Sequence, residues 1–345
     1  MRTPRVVQWT SGIVGKTSLR EIIASPNLEL VGLYCHGESK VGVDAGTIAG
    51  IEKVGVKATN DIDEIIALKP DCIVYMPQWP DIEQIERILE AGINIVTTAR
   101  ICTGHYYPDN AGERIDRAAK KGGVSFYGTG MNPGYIPTLA LAATGVCGKV
   151  KKITILESTD CVMYEGVGTW EAYGFGKPLN YDKLRQELWD AEPDYRELLE
   201  LIASAVGVTL DEMTLDVEYA VADDDRDLGY IFIPKNTVAG INATWRGMVA
   251  GTTFVEVQTI WKLGSIYGHT ETPNWEILFG YKLDVEGDMN VTLNCLFMPE
   301  DIEKIDIGIP TAMPAVNSIL QTCEAPPGIV TVKDLKLITG RGVMA

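Results

Sequence analysis

The sequence predicts an α/β protein of two domains. The first is a doubly wound parallel sheet, and the second is an α+β domain on an open, mostly antiparallel sheet. Three observations carry this. The first 132 residues alternate between short apolar runs of strand length and amphipathic segments of helical spacing. From about residue 149 the alternation gives way to long strand-like runs joined by glycine-containing turns. The chain has 345 residues, more than one minimal domain needs.

The elements follow in order. Arg5 to Trp9 reads as a strand, Val14 to Ala24 as a helix, and Leu28 to Tyr34 as a second strand. Asp71 to Pro77 is an apolar strand stopped by proline. Asp81 to Ala91 is an amphipathic helix with Asp81 as N-cap and Gly92 closing it. Ile93 to Thr98 is a strand, Ala111 to Lys121 a helix ending in Gly122-Gly123, and Val124 to Tyr127 a further strand. Strands alternating with helices imply right-handed crossovers and a parallel sheet, with ligands beyond the strands' carboxyl ends. In the second domain, Lys149 to Glu157 reads as a strand and a polar helical stretch runs to about Val206. Strands are expected at Val238 to Val249, Thr252 to Lys262, Trp275 to Leu283 and Asn290 to Phe297. Pro310 to Gln321 is helical again. The expected domains are thus 1–134, with 311–345 packing back on it, and 135–310 for substrate and dimer contacts.

Composition excludes several classes. Asp plus Glu outnumber Lys plus Arg by 47 to 30, giving a formal charge of −17 and disfavouring nucleic acid and anionic membranes as partners. No apolar run approaches the roughly 18 residues of a membrane helix, and no signal-peptide core is visible. The seven cysteines (35, 72, 102, 147, 161, 295 and 323) form no CxxC pair, so reduced thiols and a cytoplasmic location are expected. His36, His105 and His269 are too scattered for a histidine-rich metal site.

After the first strand comes Thr10-Ser-Gly12-Ile-Val-Gly15-Lys16-Thr17. It fits both G-x-G-x-x-G and G-x-x-x-x-G-K-[ST], each with Thr10 in place of the first glycine. A nucleotide triphosphatase needs an acidic residue at the end of another strand for Mg²⁺. The run ending Tyr75-Met-Pro77 has its only Asp at the start. The dinucleotide reading needs strand, turn, helix and a second strand about 20 residues on, and Tyr34-Cys35-His36 stands there. Thr10, Ser11, Gly12, Ile13 and Val14 are then the pyrophosphate loop of a Rossmann-type domain, with helix amides and dipole facing the anion. The second strand ends without the ribose-binding acid, although Glu38 is near. His36, Ser39 and Lys40 together suit a 2′-phosphate, so NADP is expected, with NAD possible. Met76 and Pro77, Thr97 and Thr98, and Asn132 follow later strands as further cofactor contacts.

Val43-Asp-Ala-Gly46-Thr-Ile-Ala-Gly50 resembles the Asp-Ala-Gly-x-x-Ala-Gly loop of dihydrodipicolinate reductases. Tyr75-Met-Pro77, Thr97-Thr98 and Gly128-Thr-Gly-Met-Asn-Pro-Gly134 resemble the strand-end loops of the 2,4-diaminopentanoate dehydrogenases and native amine dehydrogenases. Thr311 to Asn317 and Ala325-Pro-Pro-Gly328 resemble the tail of actinobacterial members. The resemblance implies an NAD(P)-dependent oxidoreductase, usually a homodimer, whose second sheet carries the substrate side. An uncovered apolar sheet face would also call for a partner. Two departures stand out. The reductases' His-His-x-x-Lys signature is missing. The amine dehydrogenases' catalytic Glu after the Thr-Thr pair is missing too, since Thr97 to Tyr107 holds no carboxylate.

Hydride transfer to C=O or C=N needs a proton carrier near the heteroatom. Candidates are His105, Tyr106 and, after the second domain's first strand, Glu157. Asn132, Asp160, Trp170, Tyr173 and Trp245 are candidate substrate contacts, the aromatics suggesting a hydrophobic pocket. The readings are a reductase or dehydrogenase acting on a small-to-medium hydrophobic ketone, alcohol or imine; an amine dehydrogenase with another residue in place of Glu; or a non-catalytic NADP-binding sensor.

Overall fold

The computed structural model describes residues 2–264, 275–300 and 305–341. The chain divides into two compact units, residues 1–135 with 306–345 and residues 136–305.

Unit 1 begins with β1 (Arg5–Trp9), α1 (Ile13–Ala24) and β2 (Glu29–Tyr34). It continues through α2 (Ala45–Ala49), β3 (Ala58–Thr59), α3 (Ile62–Ala67), β4 (Cys72–Tyr75), α4 (Ile82–Glu90), β5 (Asn94–Thr97), α5 (Ala111–Gly122) and β6 (Ser125–Gly128). The strands are parallel and mostly buried on both faces, so their apolar residues run on rather than alternate with polar ones. Val7, Ile73, Ile95 and Phe126 face Ile85, Ile88 and Ile115 of α4 and α5. Their neighbours Val6, Val74, Val96 and Tyr127 face the other way, toward Ile22 of α1. Each such fully buried side chain contributes roughly 1.5–3 kcal/mol by leaving water. Asp81 caps α4 as expected, accepting from the Gln84 amide at 3.0 Å.

The Asp-Ala-Gly loop has a structural cause. The Asp44 carboxylate accepts from the amides of Gly46 (2.9 Å), Val54 (3.0 Å) and Gly55 (2.8 Å). A Cβ on Gly46 would lie 1.9 Å from the Glu52 carbonyl oxygen, so only glycine fits the turn. Desolvation opposes the Asp44 charge, but the amide donors outweigh it and hold the carboxyl below its usual value. A depressed folded-state pKa stabilises above the unfolded value and loses that contribution as pH falls through the folded one. Asp44→Asn is therefore expected to lose less stability than the parent between about pH 7 and about pH 3, read as urea midpoints at both pH values.

Unit 2 contains α6 (Ile136–Thr144), β7 (Val150–Asp160), α7 (Val167–Ala172), α8 (Tyr181–Ala191), α9 (Pro193–Ala205) and β8 (Glu212–Val221). There follow the short pair β9 (Arg226–Asp227) and β10 (Phe232–Ile233), then β11 (Val238–Val249), β12 (Thr252–Lys262), β13 (Gly280–Gly287) and β14 (Val291–Leu296). The sheet order is β14-β13-β7-β12-β11-β8. It is antiparallel except at β7–β12, which run parallel. Two expected strands shift. β7 runs on to Asp160 because pairing continues to Lys262. The strand expected at Trp275 to Leu283 starts at Gly280, since Phe279 takes a left-handed backbone (φ 53°) and breaks the extended run.

One face of this sheet lies under α6 and α9. The other face is polar. Arg246 bridges Asp216 and Glu256, Lys152 reaches Glu256 at 3.2 Å, and Gln258 donates to Asn242 at 2.9 Å. The apolar open face expected from the sequence is thus replaced by a charge network, which needs no apolar cover.

The last helix, α10 (Ile309–Cys323), and the last strand, β15 (Gly328–Val330), belong to unit 1. Ala315, Val316 and Ile319 of α10 pack beside Ile22 on the α1 face. Asp306 anchors the start of this segment, accepting from the Thr17 hydroxyl at 2.7 Å and pairing with Arg20. β15 adds to β6 as a seventh parallel strand, giving the order β15-β6-β5-β4-β1-β2-β3.

Candidate active site

The strand order reverses between β1 and β4, so the crevice beyond their carboxyl ends is where an open α/β sheet takes a ligand. Thr10 stands there in a left-handed conformation (φ 75°). That is the backbone a glycine adopts freely and a β-branched residue adopts only under constraint. The constraint is visible. The Thr10 amide donates to the Tyr34 carbonyl at 2.9 Å, its hydroxyl to the Met76 carbonyl at 2.8 Å, and its carbonyl accepts from the Gln8 side chain at 3.1 Å. Thr10 thereby ties the loops after β1, β2 and β4 together. Gly15 completes the turn, since a Cβ there would sit 2.6 Å from the Thr10 carbonyl oxygen. Gly12 is extended, and a Cβ on it would meet no atom of the described residues within 4 Å. No side chain caps α1, and its first turn holds no acid. The amides from Ser11 to Val14 thus form an open, dipole-reinforced anion cradle, and these residues fit a pyrophosphate.

At the end of β2, Tyr34 stacks on Trp9 with ring centroids 3.7 Å apart, and His36 meets Tyr34 edge-on at 5.3 Å. His36 is exposed. Ser39 and Lys40 fall in a short helical turn, Glu38–Lys40, whose Lys40 ammonium donates to the Ser11 hydroxyl at 2.9 Å. A cation is therefore held beside the anion cradle.

Beyond β5 and β6 the packing is close. The Thr97 hydroxyl accepts from the Ala99 amide at 2.9 Å, and the Thr129 amide donates to the Thr97 carbonyl at 2.8 Å. A Cβ on Gly130 would come within 3.6 Å of the Thr98 methyl. Both polar atoms of the Asn132 carboxamide are shielded from solvent and unbonded among the described residues. A buried amide with donor and acceptor unspent fits a ligand that presents the complementary pair, as a nicotinamide carboxamide does. Met76 and Pro77 lie after β4 on the same side. Arg100, left-handed at φ 60°, lies 5.0 Å over the Trp79 ring, and Tyr107 donates to the Arg100 carbonyl. His105 is exposed and Tyr106 half-buried in this loop.

In unit 2, Glu157 is only 9% exposed on β7. The Trp261 indole donates to its carboxylate at 2.9 Å. Tyr281 stands opposite on β13, its phenol pushed well above the usual range by burial first and by the Glu157 charge second. Tyr173 and Trp170 pack on Trp261 at 4.8 and 5.9 Å between ring centroids, so the carboxylate sits against an aromatic wall. Trp245 stands one ring away, since Tyr195, which stacks on it, shares a 3.1 Å hydrogen bond with Thr259 opposite Glu157. It is fully buried and stacks with Trp189 and Tyr195, opposite Val257 on β12 and four positions from Trp261. Asp160 is 4% exposed and accepts from the Val162 amide at 3.2 Å. Burial lowers the nearby Arg226 guanidinium's pKa, while Asp223 and Asp160 act the other way. A groove of about 630 Å³, lined by Asp182, Arg185, Glu218, Asn242 and Arg246, is charged and unsuited to an apolar substrate. His269 lies outside the described residues. Gln8, Arg100 and Tyr281 escaped the sequence reading. Only Gln8 carried a signal, as a polar residue inside an apolar strand.

Residues 135–343 match the family model described as the 2,4-diaminopentanoate dehydrogenase C-terminal domain. The chain is 24% identical to an amine dehydrogenase of Streptomyces virginiae, covering 96% of each. It is 29% identical to the 2,4-diaminopentanoate dehydrogenase of Acetoanaerobium sticklandii, over 73% of this chain and 69% of that one. Among solved structures, an amine dehydrogenase from Mycobacterium smegmatis superposes with a TM-score of 0.82 at 20% identity, covering 99% and 98% of the two chains. Among the described residues no helix is long and apolar enough to cross a membrane.

Proposed function

The chain belongs to the 2,4-diaminopentanoate dehydrogenase family and is an NAD(P)-dependent oxidoreductase, and from that premise we propose that it moves a hydride between NADP and a small-to-medium hydrophobic ketone, alcohol or imine. The observation that carries the reading is the uncapped start of α1 at the β1/β4 reversal, closed by a left-handed Thr10. The bound nicotinamide would supply or take the hydride. The amides from Ser11 to Val14 bind the pyrophosphate, and Asn132 orients the carboxamide. Lys40, with His36 and Ser39, receives the 2′-phosphate. Met76, Pro77, Thr97 and Thr98 complete the cofactor contacts. Glu157 takes or gives the proton at the substrate heteroatom, and Trp170 and Tyr173 contact the apolar part of the substrate. His105 stands exposed in the loop after β5, with Tyr106 half-buried beside it.

A second reading, reductive amination, is favoured by Glu157 itself. A buried carboxylate against an aromatic wall suits an ammonium or amine, and relatives include amine dehydrogenases. Glu157 would then replace the carboxylate missing after Thr97-Thr98. The proposed homodimer rests on the family likeness alone.

NADPH and NADH oxidation against hydrophobic ketones, with and without ammonium at alkaline pH, tests both readings. Turnover without ammonium supports carbonyl reduction, and turnover only with ammonium supports amination. Cofactor binding with no turnover on ketones or preformed imines refutes both. In the same assay Lys40→Met is expected to weaken NADPH about tenfold and NADH less than about twofold, since one charge-assisted contact is lost.

A further inference from the structure

Gln8 is fully buried in β1, where the rest of the strand's interior is apolar. A buried amide must spend its hydrogen bonds, so where they go is informative. The Gln8 side-chain nitrogen donates to the Trp9 carbonyl at 3.3 Å and the Thr10 carbonyl at 3.1 Å. Its oxygen accepts from the Ser18 hydroxyl of α1 at 2.7 Å. All three bonds join the strand, the turn and the helix of the anion cradle. The Thr10 carbonyl held by one of them is the one over which Gly15 closes.

We propose that Gln8 is a positioning residue for the cofactor: through Ser18 and the Thr10 carbonyl it holds closed a left-handed turn that threonine would otherwise leave. Where other dinucleotide loops use a glycine that needs no restraint, this chain carries Thr10, whose hydroxyl reaches Met76 across the reversal point. Gln8 shares that restraint with the Tyr34 and Met76 carbonyls and, through Ser18, also fixes it to α1. The inference rests on the dinucleotide reading of this loop.

Gln8→Met keeps the volume and removes the three bonds. The expected result is a Kd for NADPH raised about 10- to 100-fold, by misplacing the cradle amides, with kcat at saturating cofactor within about threefold of the parent. The decisive arm is Gln8→Met combined with Thr10→Gly. Glycine takes the turn unaided, so the double variant should bind NADPH within about threefold of Thr10→Gly alone. General loosening of the fold would not be rescued this way. If the parent binds neither NADPH nor NADH, the dinucleotide reading fails first. If the parent binds and Gln8→Met binds equally well, or the double variant stays as weak as Gln8→Met, the positioning role is overturned. Should Gln8→Met not fold, Ser18→Ala with and without Thr10→Gly decides in its place. A loss of affinity that Thr10→Gly recovers supports the role, and unchanged or unrecovered affinity refutes it.

Discussion

Glu157→Gln is expected to lower turnover by about 10²- to 10⁴-fold while the protein stays folded, the range a positioned proton carrier supplies. The amide is isosteric with the carboxylate, so its oxygen still accepts from Trp261 and the aromatic packing around it is kept. What disappears is the ability to take or release a proton. Cofactor affinity, set in unit 1, should be unchanged, so the loss should fall on kcat at saturating NADPH. The limb of the pH–rate profile that reports this group should vanish as well. Trp261→Phe serves as the contrast, because it removes one hydrogen bond and leaves the carboxylate, and a smaller loss of kcat is expected. A Glu157→Gln enzyme within about threefold of the parent, outside the range of proton-transfer catalysis, would return the search to Tyr106 and His105.

The second large effect separates two neighbouring glycines. Gly12→Ala is expected to leave stability within about 0.5 kcal/mol of the parent, because its φ of −73° suits any residue and its Cβ meets nothing among the described residues. Yet that open space is where the backbone must approach a pyrophosphate, and NADPH should bind about 100-fold more weakly, a loss of about 2.7 kcal/mol. Gly15→Ala should weaken binding too, but by another route. Its Cβ would press on the Thr10 carbonyl from 2.6 Å, so α1 must move off the strand, at a cost of about 1–3 kcal/mol. Fluorescence titration with thermal denaturation on both variants reads the difference. If Gly12→Ala binds NADPH like the parent, that space is not the cofactor path.

Much of this was legible because the deciding residues act locally. β11 and β12 run from Val238 to Val249 and from Thr252 to Lys262, as their alternation and the intervening Ala250-Gly251 turn indicate. Asp81 reads as a cap because capping involves only the next three residues. Three features were not legible, each for a physical reason. β15 is three residues long, too short for any period, and exists only through its pairing with β6. The parallel β7–β12 pair joins strands about a hundred residues apart in sequence, a tertiary choice that alternation cannot encode. The left-handed turn at Thr10 runs against residue preference and is imposed by three partners distant in the chain or hidden in the strand. In the candidate site, the loop signature could be read from glycine spacing. The joining of Glu157, Trp261, Tyr173 and Tyr281 could not, since it depends on strand register and on how α7 lies on the sheet.

The seventh strand of unit 1 has a consequence for how the protein comes into being. Ser125, at the start of β6, bonds the Ala325 carbonyl 200 residues later, whereas residues 136–305 form one uninterrupted stretch. As the chain leaves the ribosome, the inserted unit is complete before β15 has been translated. The nascent N-terminal sheet must wait with the edge of β6 bare, a strand edge open to wrong partners. Unit 2 can therefore close before unit 1 is whole, although it is translated after most of unit 1.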